Sequence, residues 1–409
     1  MEPKIRFKGF EGEWKTPSIG DVFELRNGYT PSKIVKEFWE GGTIPWFRME
    51  DIRINGGFLK DALQHITPLA VKGAGLFEKN SIILATTATI GVHAMLIADS
   101  LANQQFTNFK VRKSLSDEYI DEFIYYSFFK IDEWSKNNTN SGGLLSVNMP
   151  LLVKQGFLTP CKEEQQTIAS YFRILDAKLQ ASTKKVESLK KLKSASLVAM
   201  FPQNGESMPK VRFKGFEGEW KETTLSECLD ISYLQNSENK YDKNDVLSVS
   251  DDFGVMNQIE LLGRSYAGKD VSSYSILQKG EIVYTKSPLK DKPFGIIKKN
   301  SYQTGIVSIL YAVYHSKDNI SADYIHYYFD PAWRLNAYMR PLVNKGAKNT
   351  MNISDEMALM GSLILPPSLA EQQAIATFFR SLDRKIALET ARLEKLKQIK
   401  LACLDKMFV

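Results

Sequence analysis

PKIRFKGFEGEWK at residues 3–15 returns as PKVRFKGFEGEWK at residues 209–221, thirteen positions with Ile5 replaced by Val211 as the single change. A second pair follows: EQQTIASYFRILDAKL at 164–179 and EQQAIATFFRSLDRKI at 371–386. The shifts are 206 (3 to 209) and 207 (164 to 371) positions, so the chain runs through the same order twice: shared piece, variable piece, shared piece. Such a period decides the architecture before any local reading does. The intervening residues, 16–158 and 222–364, show no alignable similarity beyond a common pattern. A framework is duplicated around differing contents.

The second shared piece reads as a long helix. Ile168, Phe172, Leu175, Leu179, Val186 and Leu189 recur at alternating steps of four and three, with one gap at Ser182. Ile375, Phe379, Leu382, Ile386, Leu393 and Leu396 repeat the pattern, with Glu389 in the gap. A spacing near 3.5 without internal Pro or Gly predicts a two-stranded coiled coil of about 39 residues per helix, roughly 58 Å long. Two ordinary amphipathic core helices are the alternative, disfavoured because such helices rarely exceed about 25 residues. Residues 202–208 separate the first helix from the second shared piece, a reach of at most ~25 Å. The first helix therefore ends beside the second domain, and by the duplication the second ends beside the first. The pair is expected to be antiparallel, with a pseudo-twofold internal repeat and neighbouring chain ends.

The expected fold class is α+β: two globular domains separated by the long antiparallel two-helix coiled coil. The expected divisions are 1–160, a first domain with its N-terminal shared segment; 161–201, a first spacer helix; 202–208, a linker; 209–366, a second domain; and 367–409, a second spacer helix. Within the domains, strands are predicted at 81–86, 92–97, 281–284 and 306–313, and helical stretches at 119–129 and 324–328, with no βαβ rhythm.

With 409 residues, 43% hydrophobic and 24% charged, the chain has ample core for two or more domains, which excludes disorder. A net charge of +6 permits an anionic partner without demanding one. Cys161, Cys228 and Cys403 lie far apart, which excludes a disulfide framework or a CxxC zinc site and fits a reducing, cytoplasmic location. The first thirty residues carry charges throughout, unlike a signal peptide. The uncharged run 80–98 is interrupted by Gly91, His93 and several hydroxyl residues, so core strands are expected there and no membrane span.

Catalytic patterns fail one by one. GRSYAGKD at 263–270 ends in Asp270 where a phosphate-binding loop needs a hydroxyl to hold Mg²⁺, which favours a turn. Asp230 with Glu238, Asn239 and Lys240 is a nuclease-like set within a charged segment. His65, His93, His315 and His326 lack metal-site spacing, and no metal is expected. Pro366-Pro367 lacks the preceding Asn and following aromatic of an adenine methyltransferase.

What remains suits nucleic acid. Lys286, Lys290 and Lys292, with Lys298 and Lys299 beyond, sit among Pro288, Pro293 and Gly295, a loop able to approach phosphates. Asn344, Lys345, Lys348 and Asn349 combine cations with amides that can pair with adenine. The first variable region offers Thr30, Lys33, Arg48, Lys72, Thr86, Thr87, Thr89, Asn103 and Gln104, a more polar set. For any one of these residues a solvated surface or turn role is favoured over base contact; only as clusters do the two readings draw level. A scaffold that binds only protein would show no salt-dependent retention of duplex DNA, and a nuclease or ATPase would act alone with ATP and Mg²⁺.

Over essentially its whole length the chain resembles the specificity (S) subunit of type I restriction-modification enzymes. The resemblance rests on the repeated PKIRFKGFEGEWK, on EEQQTIASYFRILDAKL and AEQQAIATFFRSLDRKI, and on GYTPSK (28–33), IPWFRMEDI (44–52) and TTATIG (86–91). It implies that the variable pieces are two target recognition domains, each reading one half of a bipartite target in double-stranded DNA. It further implies that the coiled coil sets the gap and docks two methylation (M) subunits, joined by restriction (R) motor-nuclease subunits. S-adenosylmethionine, ATP and Mg²⁺ would belong to those partners, with no cofactor and no catalytic residue in this chain. The second variable region lacks counterparts of GYTPSK and IPWFRMEDI.

Overall fold

The structure, a computed structural model, describes residues 2–140, 145–203, 205–289, 292–345 and 351–408, with side chains at 344, 345, 351 and 352 left out. It divides into two compact units, residues 1–183 with 391–409 and residues 184–390.

The first unit is built on a five-stranded sheet of β1 (Phe23–Asn27), β2 (Phe58–Leu59), β3 (Ile82–Ala85), β4 (His93–Leu96) and β5 (Phe106–Val111), in the order β1-β5-β3-β4-β2. Neighbours are antiparallel except β2 with β4. All four residues of β3 are buried, so the uncharged run 80–98 forms core strands, as its composition predicts. A helix, α1 (Asp121–Asn137), covers this sheet; acids at Asp121 and Glu122 favour its N-terminus, and Phe123, Tyr126 and Phe128 face inward. His93 is a core residue, held between the Asp132 carboxylate (2.6 Å) and the Tyr125 carbonyl (2.9 Å). A three-stranded sheet (Ile44–Phe47, His65–Ile66, Leu101–Ala102) adds a second core around Trp46 and Phe47.

The second unit has a four-stranded antiparallel sheet of β6 (Leu229–Ile231), β7 (Ile282–Tyr284), β8 (Ile297–Lys299) and β9 (Ala312–Ser316), ordered β6-β9-β7-β8. The strand expected over 306–313 is in fact two, Gly305–Val307 and Ala312–Ser316, parted by a turn at Ser308–Tyr311. Where the first unit has one helix, the second has α3 (Ala322–Tyr328) and α4 (Ala332–Met339). Pro331 causes the break, since it lacks an N–H and disfavours helical backbone at Asp330.

Two long helices, α2 (Lys162–Ala199, 38 residues) and α5 (Leu369–Met407, 39 residues), each contribute to both units. Partner numbers fall on one helix as they rise on the other: Tyr171 with Cys403 and Asp176 with Lys400 in the first unit, Lys185 with Glu389 and Lys193 with Asp383 in the second. The pairing is thus antiparallel in each. Ile168, Phe172, Leu175, Val186, Ile375, Phe379, Leu382 and Leu393 are buried, while Leu179, Leu189, Ile386 and Leu396 are half-buried. Ser182, in the gap of the first pattern, is buried too.

The repeated motifs meet in space. Glu164 has no exposure and accepts from Arg6 Nε and Nη2, both at 2.8 Å; Glu371 accepts from Arg212 at 2.6 and 2.8 Å. Gln165 caps the backbone N–H of Ile120, and Gln372 that of Ser321. Tyr126 donates to Asp176 and Tyr327 to Asp383, at 2.8 and 2.9 Å. The Ile5 N–H donates to the Lys406 carbonyl as the Val211 N–H does to Ala199, which places the segment near the chain start beside the end of α5.

Candidate nucleic-acid interface

The two sheets can be matched strand by strand through their registers. Phe109 pairs with both Leu25 and Ile82, and Tyr314 with both Ile231 and Ile282. By this register the β3–β4 connection is the counterpart of the β7–β8 connection. Both close on a glycine with positive φ, Gly91 at 71° and Gly295 at 80°. Both also hold a non-glycine residue in the left-handed region, Ala88 at 61° and Lys286 at 48°, a strained backbone that clusters where loops carry function. TTATIG and the loop of Lys286 and Lys292 are therefore the same hairpin tip in two units, which the sequence did not reveal.

In the first unit this tip has neighbours of like chemistry. Thr86 and Thr87 donate their N–H groups to the Gln105 carbonyl, and Thr30 hydrogen-bonds the Gln104 side chain. Asn103 donates its N–H to the Phe47 carbonyl, next to Arg48. Gly28 lies under the Ala102 and Asn103 carbonyls, where an added Cβ would stand 2.2–2.4 Å from the carbonyl oxygens, so glycine is required for that approach. Thr30, Arg48, Thr87, Asn103 and Gln104 are brought together, with Thr89 and Gln104 exposed. Lys72 sits 4.8 Å from the Tyr29 ring centroid while its N–H donates to the Tyr29 hydroxyl; Lys33 is exposed nearby in sequence. Arg48 reaches Glu50 at 3.2 Å, and its Nε is shut from solvent without a hydrogen-bond partner.

Two expected contacts are corrected. Thr86 is 6% exposed and its hydroxyl is bonded to that of Thr107 at 2.9 Å, so it secures the tip from inside. Lys292 is 8% exposed, with Nζ 2.6 Å from Asp251 and 3.0 Å from the Asp330 carbonyl. Lys298 and Lys299, on β8, are likewise bound to Asp330 and Asp323, so these described lysines are paired with acids rather than free. Lys286 binds Asp355 at 2.5 Å. Burial alone would raise the Asp330 carboxyl, but Lys298 and Lys193 hold it well below the usual carboxylate range. Lys290, Lys348 and Asn349 lie outside the described residues; Asn344 and Lys345 form a strand pairing with Met351–Asn352.

Sequence reasoning missed Tyr233 and Leu234, which leave the end of β6 exposed, as Asn27 leaves β1. Only the strand register, not composition, identifies them.

The catalytic patterns resolve into ordinary structure. Gly263 caps the short helix Gln258–Leu262, and Asp270 accepts from Ser272 N and Oγ, closing a turn. Asp230 faces Lys317 at 3.4 Å. Among the described residues no group of three or more His, Cys, Asp or Glu is placed to hold a metal ion, and no helix is long and apolar enough to cross a membrane.

The family model described as "Type I restriction modification DNA specificity domain" matches residues 11–191 and again 217–398. The chain belongs to that family. Both matches to this specificity-domain family span a framework and a variable piece. Among relatives, the EcoprrI specificity subunit of Escherichia coli is 46% identical over 158 residues, covering 39% of each chain. The MjaIX specificity subunit of Methanocaldococcus jannaschii is 30% identical over 185 residues, 44% of this chain and 42% of that one. The aligned parts thus span about two fifths of those two relatives. The MjaVIII specificity subunit of the same organism is 21% identical over 406 residues, covering 95% and 90%. An S subunit structure from M. genitalium shares the fold, with TM-score 0.61 and 16% identity over 100% of this chain and 99% of that one.

Proposed function

We propose that the chain is the recognition and scaffolding subunit of a type I restriction-modification assembly and performs no catalysis itself. Residues 1–160 and 209–366 serve as two target recognition domains, each reading one half of a bipartite site in double-stranded DNA. The spacer helices, 161–201 and 367–409, set the gap and dock two methylation subunits that carry S-adenosylmethionine. Restriction subunits supply the ATP- and Mg²⁺-dependent motor and nuclease.

One observation carries this reading: the same scaffold, down to the Arg6–Glu164 and Arg212–Glu371 pairs, is built twice beneath hairpin tips that differ in chemistry. A fixed frame with exchangeable tips suits reading two different half-sites, because phosphate contacts position a protein while base contacts specify. In the first unit, Gln104 and Asn103 offer amides for adenine, Thr30, Thr87 and Thr89 offer hydroxyls, and Lys33 and Lys72 offer charge to phosphates.

The test is methylation-sensitive sequencing of DNA from cells expressing the chain with its methylation subunit, against cells lacking the chain. A split methylated motif that depends on the chain is expected, and exchanging residues 222–364 for those of another family member should alter one half only. No chain-dependent motif would defeat the reading.

A further inference from the structure

The tip preceding β9 presents apolar side chains where its counterpart in the first unit presents amides. In the first unit the Asn103 carbonyl accepts from the Phe106 N–H at 3.1 Å, and Asn103 Oδ1 accepts from the Gln105 N–H, also at 3.1 Å. In the second, the Ser308 carbonyl accepts from the Tyr311 N–H at 2.9 Å, and Ser308 Oγ accepts from the Leu310 N–H at 3.3 Å. Phe106 stands three residues before Phe109, as Tyr311 does before Tyr314, and those two residues hold the same place in their sheets. The turns are one backbone platform, locked by an Asn in one unit and a Ser in the other.

The displayed residues are Gln104-Gln105 on the first platform and Ile309-Leu310 on the second. Ile309 is 59% and Leu310 63% exposed, and Tyr233 and Leu234 extend the apolar character at the same end of the sheet. Nothing in the second unit's core needs those two side chains, since they point away from it. Exposed apolar residues on a locked turn, at the place where the other unit shows amides, suit a ligand that offers methyl groups among polar edges. In duplex DNA the thymine 5-methyl group is that feature, and it lies in the major groove.

Resting on the function proposed above, we infer that Ile309 and Leu310 pack against thymine 5-methyl groups in the half-site read by the second unit. That half is read partly by apolar contact, whereas the first unit presents amides at the matching positions, Gln104 and Gln105.

The experiment uses the chain assembled with its methylation subunit and duplexes carrying the methylated motif. The half-site of the second unit is the one altered when residues 222–364 are exchanged. Each of its thymines, on either strand, is replaced by deoxyuridine, which lacks only the methyl group. Affinity should fall roughly three- to fivefold at one or more positions, the worth of one buried methyl. The double variant Ile309→Gln, Leu310→Gln, which copies the first platform and disturbs no core residue, should bind thymine and deoxyuridine duplexes equally. Unchanged affinity throughout the deoxyuridine series, a half-site without thymine, or a thymine preference surviving in the variant would each overturn the inference. So would a variant that loses the methylation subunit yet keeps that preference, because the turn would then face protein. A complex that methylates no motif at all defeats the recognition reading itself, a different outcome from any of these.

Discussion

The buried carboxylate of Glu164 is balanced by Arg6, whose Nη1 and Nη2 groups also hold the carbonyls of Gly12 and Glu11. One guanidinium thereby ties the glycine turn of the first repeated motif to the start of α2. Glu164→Gln keeps the shape but strands Arg6, and removing one member of a buried pair is strongly destabilising. A loss of about 2–3 kcal/mol in the first unit is expected, with Glu371→Gln doing the same to the second. Denaturant unfolding, followed by hydrogen exchange in each unit, measures it.

Exposed and buried lysines should separate in their effects. Lys33→Ala with Lys72→Ala should reduce the log–log salt slope of DNA binding by about two, without lowering stability. Lys292→Ala, which removes one of the two lysines that hold Asp251, should lower the unfolding midpoint instead. Filter binding across a salt series, paired with thermal unfolding, distinguishes the two classes.

His326 should make the second unit acid-sensitive. Its Nδ1 is enclosed without a hydrogen-bond partner, and burial, with Lys298 adding repulsion, lowers its pKa from 6.5 to about 4. The unfolded chain takes up this proton first as pH falls, so stability is retained above about 6.5 and declines between 6.5 and 4, by on the order of 3 kcal/mol. His326→Phe should flatten that decline. Urea unfolding at pH 7 and pH 5 for both proteins gives the answer, and equal acid losses would assign the effect to other groups.

Inserting four helix-forming residues after Ser182 should widen the gap of the methylated motif by one or two base pairs. The insertion adds about 6 Å of helix against ~3.4 Å per base pair, and restores the apolar seam after about one turn. Two inserted residues should turn Val186 and Leu189 out of the seam and abolish assembly. Motif sequencing reads the gap, and an unaltered gap in a stable four-residue mutant would reduce the helices to a tether.

The frame was legible because duplication marks it and because an apolar period of 3.5 survives in any context. The purposes of Glu164 and Gln165 were not, since their partners at Arg6 and Ile120 lie far away in sequence. Ile309 and Leu310 misled the strand reading for a physical reason. An apolar turn fixed by a serine hydroxyl lacks the Gly or Pro that announces most turns, so 306–313 resembles one unbroken strand. Thr86 and Lys292 were misplaced by the same limit: composition gives the chemistry of a loop but not which side chains turn inward.

Neither unit is made from one repeat alone. Phe408, from the end of the second repeat, stacks on Phe172 in the first unit, and Phe201, from the end of the first repeat, stacks on Phe379 in the second. Each repeat lends its last turn of helix to finish the other's core, the geometry of two swapped protomers joined into one polypeptide. A gene holding a single repeat would therefore yield a protein with an unfilled aromatic socket and a spare aromatic plug. Two such molecules would complete each other's cores as a homodimer with identical tips, and divergence after duplication is what lets the two tips of one polypeptide differ.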